Sequence, residues 1–210
     1  MRRANYGLLP MAVALAISHD ASTGRTQCIV FTDSDGLIRC IMKQLSLLHK
    51  LASNPLLVPS LIQTYIFIAL ESLSGDCWSE YLKAESGSGQ SPKEEFSFGT
   101  HDSQWGMQQV PRMPPEKLTK QILRINQLLT IYQHYFRSGF LAIESMQETL
   151  QYIITKTSEG RKESTSNTSA VIAQHLKSLR DTGQVVSWEL QTLKERSQAL
   201  TNAVTTALRR

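Results

Sequence analysis

His19 and Asp20 stand side by side in the stretch AVALAISHDASTGRTQCIVF, and an adjacent His-Asp pair is an arrangement used by metal-dependent phosphohydrolases. There an imidazole nitrogen and a carboxylate oxygen hold one cation that activates water. Such a site needs further His and Asp ligands. The remaining histidines, His49, His101, His134 and His175, fall at no HExxH or HxH spacing. A polar pair at a turn is therefore the better reading, and hydrolysis at His19 and Asp20 ranks last among the functions weighed. Cys28, Cys40 and Cys77 are odd in number, far apart and without a CxxC, which argues against a disulfide framework or a zinc site and for reduced, partly buried thiols. No GxSxG, GxxxxGK[ST] or GxGxxG occurs. The glycine-rich run Ser86–Ser91 does not link a strand to a helix with a following lysine, and reads as linker.

Asn167-Thr168-Ser169 is a formal glycosylation acceptor, but a helix N-cap is the preferred reading. Glu144, Glu148, Glu189 and Glu195 could meet cations at a subunit interface, although solvated helix faces explain them more simply. Lys194-Glu195-Arg196 reads as surface. No catalytic, cofactor-binding or metal-ligating residue is assigned, and the chain is expected to be no enzyme and to need no cofactor.

The 210 residues carry 22 Lys and Arg against 18 Asp and Glu, a net charge of +4, and 41% of them are hydrophobic. That composition belongs to a folded chain with a sizeable core. Only Arg2-Arg3 and Arg209-Arg210 cluster basic charge, so a nucleic-acid partner is not expected. The opening MRRANYGLLPMAVALAISHD has the basic start and apolar run of a signal peptide, with Ala14-Leu15-Ala16 as a cleavage point; the competing reading is a buried strand. The run Leu56–Leu70 is too short to span a bilayer and carries Pro59, Gln63 and Thr64, which points to a core helix.

The elements that must hold these residues follow from periodicity. Two β-rich runs around SHDASTGRT predict a hairpin. DSDG then opens a helix with Ser34 or Asp35 as N-cap, its apolar face repeating from Leu37 to Leu51 until Asn54-Pro55 stops it. A second helix has Pro59 in its first turn and runs to about Lys83. Residues 85–115, which include Phe96, Phe98 and Trp105, read as a flexible linker and the expected first site of proteolysis. Two long helices follow, whose seams, from Leu118 to Ile153 and from Ile172 to Ala207, alternate steps of four and three throughout. That is coiled-coil periodicity, and each helix should be roughly 55 Å long. The connection 157–169 makes them antiparallel, in a register that sets Gly139 opposite Gly183 at a narrow waist where backbones close up or a bulky neighbour fits. The expected organisation is mainly α (α+β): residues 1–84 a hairpin with two helices, 85–115 the linker, 116–210 a long antiparallel helical hairpin.

Three stretches resemble a fungal family of CorA-like proteins related to magnesium transporters. They are the strand ending in Ser18-His19-Asp20 with its partner ending in Ile29-Val30-Phe31, the stretch ASNPLLVPSLIQTY (Asn54, Pro55, Leu56, Leu57, Pro59, Leu61), and LQTLKERSQALTNAV with Leu193 and Arg196 at an L-x-x-R place. The resemblance implies a cytosolic α/β region followed by a long stalk helix that in CorA-type transporters continues into two membrane segments bearing a Gly-Met-Asn signature. This sequence has no Gly-Met-Asn and no such segments after its last helix. The resemblance therefore implies a truncated or degenerate, cytoplasmic relative, membrane-associated only through a missing C-terminal region and unable to conduct an ion alone. Its helices would bind protein partners, a second copy among them. The alternative is a coiled-coil scaffold or adaptor unrelated to transport.

Overall fold

The computed structural model describes residues 13–20, 23, 25–88, 113–158 and 164–208. Most of the stretch read as linker, the N-terminal part of the signal-peptide reading, His101 and both arginine pairs lie outside the described residues. The architecture is mainly α with one small antiparallel hairpin. Strands β1 (Val13–Asp20) and β2 (Arg25–Thr32) precede α1 (Asp35–Leu47), a 3-10 turn (His49–Leu51), α2 (Leu57–Ser88), α3 (Pro115–Ser158) and α4 (Ser164–Leu208). The fold divides into two compact units, each drawing on distant parts of the chain: one from residues up to Ala69 with Ser138–Gly183, the other from Leu70–Arg137 with Gln184–Arg210.

In the first unit β1 and β2 pair with Ala16 opposite Ile29 and His19 opposite Thr26. Ser18, His19 and Asp20 are strand residues and not part of the turn, because the ladder needs only their backbone groups. One face of the hairpin leans on a core of Leu37, Ile41 and Ile62, with Val13 and Val30 packed against it. That contact supplies what a lone hairpin lacks in water. The other face leaves Ile29 and Phe31 exposed. Ser34 is the N-cap of α1, its hydroxyl accepting from the Leu37 amide at 3.2 Å.

The α1 pattern read from Leu37 to Leu51 breaks at Leu47, and the remainder tightens into the 3-10 turn. Asn54, buried, then turns the chain. Its Oδ1 accepts from the Leu56 amide at 3.0 Å while its carbonyl accepts from Leu57. The NPLLVP stretch is thus the start of α2, with Leu56 and Leu57 in the core and Pro59 in the first turn, where its missing N–H costs nothing.

α2 runs to Ser88, past the expected end near Lys83, so Ser86–Ser88 are helical. Its 32 residues also remove the length argument against a membrane span. By length and composition α2 qualifies as one, with 44% of its most apolar window buried.

α3 and α4, at 44 and 45 residues, are longer than expected, about 66 Å each at 1.5 Å per residue. α4 begins at Ser164, so Asn167 sits inside the helix and does not cap it. The seam explains the extension, since Ser169 is buried three residues before Ile172 and adds one more layer. Every seam position from Leu118 to Leu150 and from Ile172 to Val204 is buried. The antiparallel register holds in both units. Arg180 reaches Glu144 at 3.4 Å in the first. Gln133 Nε2 donates to Gln191 Oε1 at 2.9 Å in the second.

The glycine level lies in the first unit, and it is filled rather than closed. A Cβ on Gly139 would stand 2.5 Å from Cε1 of Phe67, and one on Gly183 would stand 2.5 Å from Cε2 of the same ring. Phe67 of α2 therefore inserts its tip between the two glycines. Phe140 packs edge-on against it at 5.8 Å between centroids.

Candidate functional site: an apolar cavity beside His175

Helical spacing places the lining. On α1, Cys40, Ile41 and Gln44 share a face, one and two turns before Leu48. On α2, Leu57, Leu61, Thr64, Tyr65 and Ile68 repeat at three or four residues. Val171, Ile172 and His175 add one turn of α4. All belong to the first unit. They line a cavity of about 280 Å³ in which aliphatic side chains predominate and, among the described residues, no Asp, Glu, Lys or Arg takes part. Ile68 and Val171 are exposed and form its outer rim, whereas Ile172 is buried and forms its floor.

The polar groups at this cavity are ordered by one hydroxyl. Thr64 Oγ1 has a single proton, which it donates to the Ser60 carbonyl at 2.7 Å. It must therefore accept at its other contact, 3.1 Å from His175 Nε2. His175 is thereby the Nε2–H tautomer, with Nδ1 carrying the free lone pair. Burial pushes the imidazole pKa below its ordinary value, which keeps the ring neutral near pH 7. The Tyr65 hydroxyl lodges 3.2 Å from where a Gly36 Cβ would stand, so the phenol ring forms part of the wall. Such a combination, apolar walls and a few convergent polar atoms, is that of a small-molecule pocket.

The sequence-predicted candidates are scattered. His19 Nδ1 lies 3.0 Å from Thr26 Oγ1, whose own proton goes to the Ser53 carbonyl, so His19 donates and serves to anchor the hairpin. Asp20 accepts from Thr23 at 2.8 Å. Among the described residues no three His, Cys, Asp or Glu side chains group as a metal site. His49 and His134 are exposed on different elements. Cys77 is buried, its thiol pushed up to about 11, first by burial and then by Asp76 and Glu80. Cys28 is raised by burial as well. Glu148 is exposed on α3, and Glu195 accepts from Gln191 at 2.8 Å.

Lys194 and Arg196 are more than surface. Lys194 Nζ donates to Gln133 Oε1 at 2.9 Å, and the Arg196 guanidinium lies 5.7 Å from the centroid of the Trp78 ring. Long stems let both reach across to a neighbouring helix while their charges stay wet. Tyr81, one turn from Trp78, donates to Glu85 at 2.9 Å. Its hydroxyl is pushed up to about 12, by burial first and the Glu85 carboxylate next.

Sequence reasoning passed over His175 as one of five unpatterned histidines. A signal was available: Ser60, Gln63 and Thr64 interrupt the otherwise apolar LVPSLIQTYIFIAL, and a polar residue repeating inside a core helix needs a partner on another element. Thr64 finds it in His175. No family model, curated protein or solved structure matches the chain.

Proposed function

We propose that the chain is a non-enzymatic, cytoplasmic relative of the CorA-like proteins it resembles, equivalent to their cytosolic region and stalk, and that it works by associating with protein partners, a second copy of itself first. The observation that carries this reading is the pair of long antiparallel helices with a heptad seam buried along nearly its whole length, preceded by a strand-and-helix region in the order the resemblance implies.

The buried seam is already filled by the chain's own helices, so association must use another surface. Trp188, 70% exposed, and Val185, one turn before it on α4, supply an apolar spot of the kind that anchors interfaces. A second reading, an adaptor unrelated to transport, draws support from Lys194 and Arg196. These residues contribute to the resemblance, yet their contacts with Gln133 and Trp78 account for them as packing.

Light scattering over a concentration series separates the two readings. The stalk reading expects mass to rise above the 23.6 kDa of one chain, and Trp188→Glu to abolish the rise. A monomer at every concentration overturns it and leaves the adaptor.

A further inference from the structure

We infer that the cavity beside His175 is a binding site for a small neutral molecule with an apolar body and one hydroxyl group, which donates its hydrogen bond to Nδ1 of His175. The inference is independent of whether the chain is a stalk or an adaptor, because it uses only residues of the first unit.

Three observations set the ligand class. Size comes first: an apolar cavity of about 150 Å³ accommodates a single benzene ring. The present one, about 280 Å³, suits a molecule of two fused rings or a medium-length chain.

Charge comes second. Among the described residues no ionised side chain lines the cavity, so an anion or cation entering it would shed water with nothing to replace it. Phosphates, nucleotides and carboxylates are excluded on that ground.

Hydrogen bonding comes third. Thr64 spends its proton on Ser60 and occupies Nε2 of the imidazole, leaving Nδ1 as an acceptor of fixed position. A ring held in one tautomer by a backbone-anchored hydroxyl is pre-organised, and pre-organisation lowers the entropy that binding must offset. Burial keeps the ring neutral, and a neutral ring accepts where an imidazolium cannot. Gln44 and Cys40 add a second polar side on α1.

The experiment uses the full chain and 2-naphthol, with naphthalene as the probe that lacks the hydroxyl and 2-naphthoate as the probe that carries charge. Titration calorimetry should show one saturable site for 2-naphthol. Naphthalene should bind about tenfold more weakly, the equivalent of one net hydrogen bond, and 2-naphthoate more weakly still. In nitrogen-15 NMR spectra the Nδ1 signal of His175 should show the upfield shift of an accepted hydrogen bond with 2-naphthol and only the small ring-current shift of a neighbouring aromatic with naphthalene. His175→Phe should bring 2-naphthol down to the affinity of naphthalene.

Ile68→Trp and Val171→Trp each fill the rim from an exposed position and should abolish binding of all three probes while leaving the helical circular dichroism unchanged. If one of these variants unfolds, the other carries the test. Non-saturable uptake of 2-naphthol, equal affinity for naphthalene, or undiminished binding in a folded rim variant would each overturn the assignment.

Discussion

At Gly139 and Gly183 the Phe67 ring, joined at Gly139 by the Gln63 amide 2.5 Å from where a Cβ would stand, decides which residues are allowed. Helix propensity alone would favour alanine at both positions by about 1 kcal/mol each. The Phe67 ring reverses the sign, because a Cβ at either glycine would stand 2.5 Å from one of its edges. The ring is buried, and Phe140 and the second glycine leave it nowhere to retreat. Overpacking of this kind costs about 1–3 kcal/mol. Gly139→Ala and Gly183→Ala should therefore each lower the stability measured by urea unfolding, by about 1–2 kcal/mol net of the propensity gain. In a Phe67→Leu background Gly183→Ala should become neutral or stabilising, whereas Gly139→Ala should still cost stability because its Cβ meets Gln63 Nε2. An alanine that stabilises the unaltered chain would mean that the ring moves aside at little cost.

That the two glycines share a level was legible from the heptad steps, since they are the only glycines in the two seams. That Phe67 fills the level was not, because nothing in α3 or α4 indicates which side chain of a third helix arrives there.

Element boundaries were set by capping chemistry where polar side chains had a backbone group to satisfy, and by packing where they did not. Ser34 and Asn54 belong to the first kind, and both were readable as boundary residues from DSDG and the Asn-Pro step. The start of α4 belongs to the second. Ser164–Ser169 look like a turn by composition, yet Ser169 continues the seam and the helix follows it. Likewise, the polar Ser-His-Asp at the end of β1 pairs because the ladder is blind to side-chain polarity.

The candidate site was hidden for a related reason: its residues come from α1, α2 and α4, with more than a hundred residues between Thr64 and His175, and no local pattern reports such a pairing. Asn54 offers the sharpest test at this scale. Its side chain caps the buried Leu56 amide, so Asn54→Ala should leave that N–H without an acceptor and cost about 1–2 kcal/mol in thermal or chemical unfolding. The same change at exposed Asn202, inside α4, should cost nearly nothing. Equal effects at the two positions would show that Leu56 finds another acceptor and that the NPLLVP stretch starts α2 by its prolines and leucines alone.

For the molecule as a whole the open question is its relation to a membrane, and α2 is where the physics meets it. The helix is long enough and apolar enough to cross a bilayer, with a mean hydropathy of 1.4 over its best window. Two features oppose insertion. Ser60, Gln63 and Ser74 are polar and buried, so they face protein, and among the described residues Gln63 Nε2 and Ser74 Oγ have no hydrogen-bond partner; in hydrocarbon such groups are more expensive still. The apolar positions are also already in use: Leu70 is fully buried, Phe67 fills the glycine level, and Leu56, Leu57 and Ile62 sit in the core of the first unit, so insertion would trade packed protein for lipid at no apolar gain. The purified chain should accordingly stay out of the floating fraction when mixed with phosphatidylcholine vesicles and spun through a density gradient. It should also add no magnesium permeability to vesicles loaded with a magnesium-sensitive dye. Replacing exposed Ile68 by Lys should leave both results unchanged, since that side chain faces water in the folded state. Flotation that Ile68→Lys abolishes would instead identify α2 as the membrane element, and the first unit would have to open for it to insert.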